Sequence, residues 1–128
     1  MTDKRPKVLV VDDAATVRLY HRTLLDEAGF EVAEAANGLE AVETALSTAF
    51  DLFVIDVNMP KMNGYACVET LRSETVGTSA PVLMISTEDR PGDADRAYTA
   101  GANLYLVKPV GAERLARVAR MLTAGVAA

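Results

Sequence analysis

Short apolar runs alternate along this chain with longer segments of helical spacing. Four runs contain no polar residue: 8–11, 52–55, 82–85 and 104–107. Unbroken runs of this length are typical of strands that are covered on both faces of a parallel sheet. A fifth candidate strand, residues 31–35, carries Glu31 and Glu34, so we place it at an edge of the sheet.

Between these runs, apolar residues recur three or four positions apart. Val17, Tyr20, Leu24 and Ala28 share one helical face, and similar faces occur within residues 41–49, 68–71, 94–98 and 115–122. This spacing predicts amphipathic helices, and glycines follow the first and fourth of them as C-caps often do. Five βα units in succession imply right-handed crossovers and a parallel sheet with helices on both faces. The predicted fold is therefore α/β, with one domain over residues 1–128 and a core of about 6–122.

Composition limits the classes of function. A net charge of -5 disfavours nucleic-acid binding, which usually needs a basic face. No apolar stretch approaches the length of a membrane span, and the polar start of the chain lacks the apolar segment of a signal peptide. The single cysteine, Cys67, cannot form an internal disulfide, which favours a reducing compartment. We therefore expect a cytoplasmic monomer that binds neither nucleic acid nor membrane.

Polar side chains stand at the carboxyl ends of four predicted strands, where open α/β sheets bind their ligands. They are Asp12 and Asp13, Asp56, Ser86 and Thr87, and Lys108. Taken alone, Asp13 or Ser86 is as often a helix N-cap, and a lysine after a strand is usually solvated.

Together, these residues indicate a metal site. Three carboxylates about 5 Å apart would repel by roughly 3 kcal/mol per pair at an effective dielectric constant near 20. A hard cation offsets that cost, and the small number of protein ligands favours Mg²⁺ over Ca²⁺. No cluster of His and Cys suggests zinc. Aspartate can accept a phosphoryl group, and Lys108 and Ser86 could then neutralise or bind its oxygens.

Five segments resemble the receiver domains of bacterial two-component response regulators. They are VLVVDD at 8–13, IDVNMP at 55–60, MNG at 62–64, MIS at 84–86 and GANLYLVKP at 101–109. The resemblance implies a flavodoxin-like fold with strand order 2-1-3-4-5. It also implies that Asp56 is the phosphoacceptor, that Asp12 and Asp13 hold Mg²⁺ with Asp13 as the direct ligand, and that Asn58 supplies a backbone carbonyl.

The resemblance implies further roles near the ends of the last two strands. Ser86 resembles the switch hydroxyl and Lys108 the lysine that pairs with the phosphoryl group, with a cis bond to Pro109. Tyr105 resembles the aromatic switch residue, although from the sequence alone it reads as an ordinary half-buried strand tyrosine. His21 stands alone on the first predicted helix, and we expect it at the surface or its boundary.

Within the family, the chain most resembles the single-domain, CheY-like chemotaxis regulators. Asn58 and Glu88 match the positions that set the rate of dephosphorylation in those regulators. Thr87 is bulkier than the small residue that is common at its position. Val110 departs from the aromatic residue common after Lys-Pro. The resemblance implies a histidine kinase as phosphodonor and an effector protein, such as the flagellar motor switch, bound through the fourth helix, fifth strand and fifth helix.

Two other functions remain open from the sequence. The first is a phosphate sink or phosphorelay shuttle, with the same site and no effector of its own. The second is a Mg²⁺-dependent phosphatase of similar architecture. Such an enzyme needs a second general acid close to the nucleophile, and Asn58 occupies the position of that acid. We therefore expect no enzymatic activity other than the protein's own phosphorylation and dephosphorylation.

Overall fold

A computed structural model describes residues 5–125 of the chain. Residues 1–4, most of the polar start, and residues 126–128 lie outside the described residues. The tail after Leu122, which we expect from its sequence to be frayed, is therefore described only as far as residue 125. Strands and helices alternate in the order β1 (Lys7–Val11), α1 (Ala15–Glu27), β2 (Glu31–Ala35), α2 (Gly38–Ser47), β3 (Leu52–Asp56), α3 (Gly64–Arg72), β4 (Val82–Ser86), α4 (Asp93–Ala100), β5 (Leu104–Val107) and α5 (Ala112–Leu122).

The five strands form one parallel sheet in the order β2-β1-β3-β4-β5, which confirms the predicted fold. Strands β3 and β4 are buried throughout, as their unbroken apolar runs indicate. Strand β2 lies at an edge and is only partly buried, as its two glutamates predict. The register pairs Val11 with Ile55 and Asp56 with Ile85, so the strands that carry the polar residues end at nearly the same level.

Side chains alternate along each strand between two hydrophobic layers. One layer joins Leu9, Phe53 and Met84 to helices α2, α3 and α4 through residues such as Ala41, Val68 and Ala97. The other joins Val8, Val54 and Leu83 to helices α1 and α5 through Leu25, Leu115 and Val118. Helices therefore cover both faces of the sheet. The polar residues predicted to form the site lie at the carboxyl ends of the strands, at the edge that the two helical layers leave open. Within residues 5–125, no helix is both long and apolar enough to cross a membrane.

The buried face of α1 is only partly the predicted one. Leu24 and Ala28 pack against the hydrophobic layer and Val17 is partly buried, as predicted, but Tyr20 is 46% exposed. The buried residues of the helix are His21 and Leu25. His21 is only 3% exposed, so its predicted place at the surface or its boundary is wrong. An imidazole counts as polar in a hydrophobic pattern, so the pattern gave no sign that His21 is buried.

The start of α3 packs directly against the end of β3. The Gly64 N–H donates to the Val57 carbonyl at 2.8 Å, and Asn63 caps the helix by accepting from the Ala66 N–H at 2.9 Å. A Cβ at Gly64 would lie 2.3 Å from the Asp56 carbonyl oxygen. Only glycine fits this contact, which fixes the backbone at the last residue of β3.

Candidate functional site

Three carboxylates meet at the carboxyl edge of the sheet. Asp12, Asp13 and Asp56 each place one oxygen within 4.8 Å of the others. Asp12 is 2% exposed and Asp56 7% exposed, whereas Asp13 lies at the surface. The cluster predicted from strand ends is therefore present, with two members buried and one facing solvent.

Lys108 joins the two buried carboxylates. Its Nζ donates to Asp12 Oδ2 at 2.9 Å and to Asp56 Oδ1 at 3.0 Å. Burial acts to lower the pKa of Lys108, but the hydrogen bonds with Asp12 and Asp56 outweigh it and hold that pKa above its ordinary value. The ammonium group is therefore charged at neutral pH.

Asp56 has a raised pKa. Burial is the main cause, and the charges on Asp12 and Asp13 add to it, while the hydrogen bond from Lys108 acts in the opposite direction. The ionised carboxylate is thus destabilised in the folded protein. A raised pKa at a buried carboxylate is typical of functional sites.

The donor set at this edge fits a divalent cation with a preference for oxygen. Three carboxylates and one ammonium leave two net negative charges, which such a cation cancels. The Asp12 carboxylate is already engaged, because Oδ1 accepts from the Ala14 N–H at 2.9 Å and Oδ2 from Lys108. Within residues 5–125, no hydrogen bond or ion pair engages the Asp13 carboxylate. Asn58 lies exposed in the loop that follows Asp56.

Ser86 and Tyr105 both form hydrogen bonds with the backbone of Glu88. The buried Ser86 hydroxyl accepts from the Glu88 N–H at 3.0 Å, and the Tyr105 hydroxyl donates to the Glu88 carbonyl at 2.8 Å. The Ser86 carbonyl also accepts from the Lys108 N–H at 2.7 Å, which ties the ends of β4 and β5 together. Thr87 points to solvent and is exposed. Two hydrogen bonds, from the Lys108 N–H and from the Tyr105 hydroxyl, thus link β5 to the end of β4 and to the loop that follows it.

Neither Asp13 nor Ser86 caps a helix. Helix α1 has Ala14 at its N-cap, and α4 has Gly92 there, in both cases without a side-chain cap. The Lys108–Pro109 peptide bond is cis.

Two residues of α1 lie near the site although the sequence predicted no role for either: Arg18, which no motif singles out, and His21, which the sequence pattern places at the surface or its boundary. Arg18 donates to the Asp12 carbonyl, and its only sequence signal is its place six residues after an acidic strand end. His21 has a pKa lowered by burial and then by the charge of Lys108, so its imidazole is neutral. His21 and Lys108 help to line a cavity of about 310 Å³ beside the site, together with Val17, Tyr20, Thr87, Pro109 and Val110.

Comparison with known proteins identifies the family. Residues 8–120 match the response regulator receiver domain. A gliding motility regulatory protein from Myxococcus xanthus is 37% identical over 94% of this chain, and the match spans only 16% of that longer protein.

Solved structures agree with this match. The chemotaxis protein CheY4 from Vibrio cholerae is 36% identical, with a TM-score of 0.87 over 93% of this chain and 99% of that one. The receiver domain of a sensor histidine kinase from Pseudomonas aeruginosa is 25% identical, with a TM-score of 0.86 over 94% of this chain and 99% of that one. Its structure holds a magnesium ion coordinated in the active site cleft.

Proposed function

Because this chain belongs to the response regulator receiver domain family, we propose that it is a signalling switch that accepts a phosphoryl group on Asp56. Receiver domains are switches of two-component signalling, which take phosphoryl groups from histidine kinases and interact with effectors. The observation that carries the proposal is the buried Asp56 carboxylate, held by Lys108 beside two further acids.

In the proposed transfer, a carboxylate oxygen of Asp56 forms a bond to phosphorus. The bond between phosphorus and the donor histidine nitrogen breaks, and its electron pair stays on that nitrogen. Lys108 already contacts Asp56 and can follow the oxygens of the incoming group, because its ammonium is charged. The chain thus supplies positioning and charge neutralisation, which are the main requirements of phosphoryl transfer.

The proposed cofactor is Mg²⁺, held by Asp13 directly, by Asp12 and Asp56, and by the Asn58 backbone carbonyl. When bound by these residues, it would neutralise charge that develops on the phosphoryl group during transfer. The resemblance implies Asp13 as the direct ligand. The exposed Asp13 carboxylate supports this choice, because it makes no hydrogen bond or ion pair within residues 5–125, whereas the Asp12 carboxylate is engaged twice.

The proposed signal passes from Ser86 to Tyr105. A phosphoryl group on Asp56 adds acceptor oxygens, and the Ser86 hydroxyl can donate to one of them only by moving toward it. Ser86 bonds the Glu88 N–H and Tyr105 bonds the Glu88 carbonyl, so a shift of Ser86 can reach Tyr105 through the backbone of this one residue. The surface formed by α4, β5 and α5 then changes shape, and an effector protein binds it.

Chemotaxis is the pathway that we propose, with the flagellar motor switch as a candidate effector, because CheY4 is a similar chemotaxis protein. We treat residues 1–128 as one receiver domain that acts as a monomer. The unpaired Cys67 favours the cytoplasm, where thiols stay reduced. Asn58, Thr87 and Glu88 are the proposed determinants of how long the phosphoryl group persists. A phosphate sink or shuttle would use the same site without an effector.

The first test is labelling with a small-molecule phosphodonor in the presence of Mg²⁺. Asp56→Asn should not be labelled, whereas Asp89→Asn, which removes an equal charge from an exposed loop position, should be labelled like the wild type. Full labelling of the Asp56 variant would overturn the proposal. A pull-down with and without a phosphoryl mimic then separates a switch from a sink, because only a switch gains an effector.

A further inference from the structure

Arg18 bridges the acidic site to the edge of the sheet. Its Nη1 donates to the Asp12 carbonyl oxygen at 2.7 Å, and its Nε donates to Glu34 Oε1 at 2.8 Å. Glu34 lies on β2, paired with Val10 of the neighbouring strand β1. The guanidinium therefore reaches from α1 across the end of β1 and is anchored on β2.

The bond to the Asp12 carbonyl bears on Asp13. The carbonyl of Asp12 and the N–H and Cα of Asp13 belong to one rigid peptide plane. Fixing that carbonyl fixes the plane from which the Asp13 side chain leaves the backbone. The Asp12 side chain has its own anchors in Ala14 and Lys108, but within residues 5–125 no contact holds the Asp13 carboxylate. The peptide plane is thus the main constraint on where that carboxylate points.

Arg22 offers a matched contrast one helical turn later. Its Nη1 donates to the other oxygen of Glu34, so both arginines pair with the same carboxylate. Arg22 makes no contact with Asp12. Both arginines hold the pKa of Glu34 below its ordinary value, Arg22 first and Arg18 second, so Glu34 stays ionised at neutral pH.

We propose that Arg18, anchored by Glu34, is a positioning residue that orients Asp13 for Mg²⁺. The inference rests on the proposed function, because it assumes that Asp13 is a ligand. Charge repulsion alone predicts the opposite effect. A cationic side chain beside a Mg²⁺ site should weaken Mg²⁺ binding, so the removal of Arg18 should strengthen that binding. A positioning role has the opposite sign, since losing the bond to Asp12 should weaken Mg²⁺ binding.

The test measures Mg²⁺ dissociation constants by isothermal titration calorimetry for three proteins: the wild type, Arg18→Met and Arg22→Met. Both variants lose one charge and one partner of Glu34, but only the first loses the bond to Asp12. We expect Mg²⁺ to bind Arg18→Met about 10-fold more weakly, the lower end of what outer-shell partners contribute to metal sites. Arg22→Met should stay within about twofold of the wild type or bind slightly more tightly, as removal of a partly exposed charge is worth little.

Each result bears on the proposal. Equal affinities for the two variants, or tighter binding by Arg18→Met, would overturn it while leaving the proposed function intact. A wild type that binds no Mg²⁺ would overturn both. If Arg18→Met does not fold, as judged by its melting transition without Mg²⁺, Arg18→Lys decides. Lysine keeps the charge but lacks the planar fork that reaches two acceptors at once, so it too should bind Mg²⁺ more weakly.

Discussion

Removing the charge on Asp56 should make the metal-free protein more stable. The carboxylate is 7% exposed and lies within 4.8 Å of two other carboxylate oxygens, one from Asp12 and one from Asp13. Asp56→Asn keeps the shape of the side chain and an oxygen that can accept from Lys108. The substitution therefore removes repulsion and the cost of burying a charge, while most of the packing stays.

The size of the effect follows from the distances. The carboxylate oxygens lie within 4.8 Å of one another, so at an effective dielectric constant of about 20 each pair repels by about 3 kcal/mol or more. The attraction to Lys108 at 3.0 Å is about 5 kcal/mol by the same relation, so the two repulsions slightly exceed it. Burial of the charge further raises the free energy of the ionised Asp56 carboxylate in the folded protein. We expect the variant to gain about 1–3 kcal/mol in free energy of unfolding, or about 3–10 °C in melting temperature for a domain of this size.

The assay is thermal unfolding with a chelator present at pH 7, with Asp89→Asn as the control for an equal change in net charge. Because the pKa of Asp56 is raised on folding, its penalty is present above the folded-state pKa and vanishes below the unfolded-state pKa. The gap between variant and wild type should therefore close as the pH falls toward 4 and below. Mg²⁺ should also close it, since the cation stabilises the wild type more. A variant that melts at or below the wild type at pH 7 without metal would refute this reasoning.

Three further predictions concern other parts of the site. Asp13→Ala should weaken Mg²⁺ binding at least 10-fold, seen as the loss of the Mg²⁺-dependent rise in melting temperature. Gly64→Ala should cost about 1–3 kcal/mol in denaturant unfolding because its Cβ meets backbone atoms, whereas Gly111→Ala, with nothing within 4 Å, should be close to neutral. Ser86→Ala should accept the phosphoryl group yet lose most of the gain in effector affinity, roughly 5- to 150-fold in the wild type. Glu88→Gln should change the lifetime of the phosphoryl group and keep the gain in effector affinity. Loss of that gain in this variant would contradict a signal that passes from Ser86 to Tyr105 through the backbone of Glu88.

The parts of the fold that could be predicted were those that a local pattern determines. Three of the four unbroken apolar runs became buried or largely buried strands. The fourth run became β5, which is mostly only partly buried at one edge of the sheet, and the run with two glutamates became the other edge strand. The order of the strands does not follow from such patterns, because the sequence of βα units is compatible with several crossovers. That order came from the resemblance to receiver domains, which the comparisons confirm.

The burial of His21 on α1 could not be predicted from the pattern, for a physical reason. His21 is buried as a neutral ring, and a polarity scale cannot tell such a ring from a solvated one. The contact between Arg18 and the Asp12 carbonyl could not be predicted either, because every residue has a backbone carbonyl and the sequence does not show which of them accepts a side-chain hydrogen bond. What the pattern could locate was the set of acids at strand ends, since parallel strands bring those ends to one edge.

The bonds around Glu88 separate two roles that the sequence places at the same position. The backbone of Glu88 is held on both sides, by the Ser86 hydroxyl at its N–H and by the Tyr105 hydroxyl at its carbonyl. Its side chain instead pairs with Arg90, which is 69% exposed, and an ion pair so exposed contributes little to stability. Any residue but proline offers the same N–H and carbonyl, so the proposed transmission from Ser86 to Tyr105 should not depend on the identity of the side chain there. The side chain is then available for its proposed role in the access of water to Asp56, and we expect substitutions of Glu88 to change the lifetime of the phosphoryl group without changing the signal.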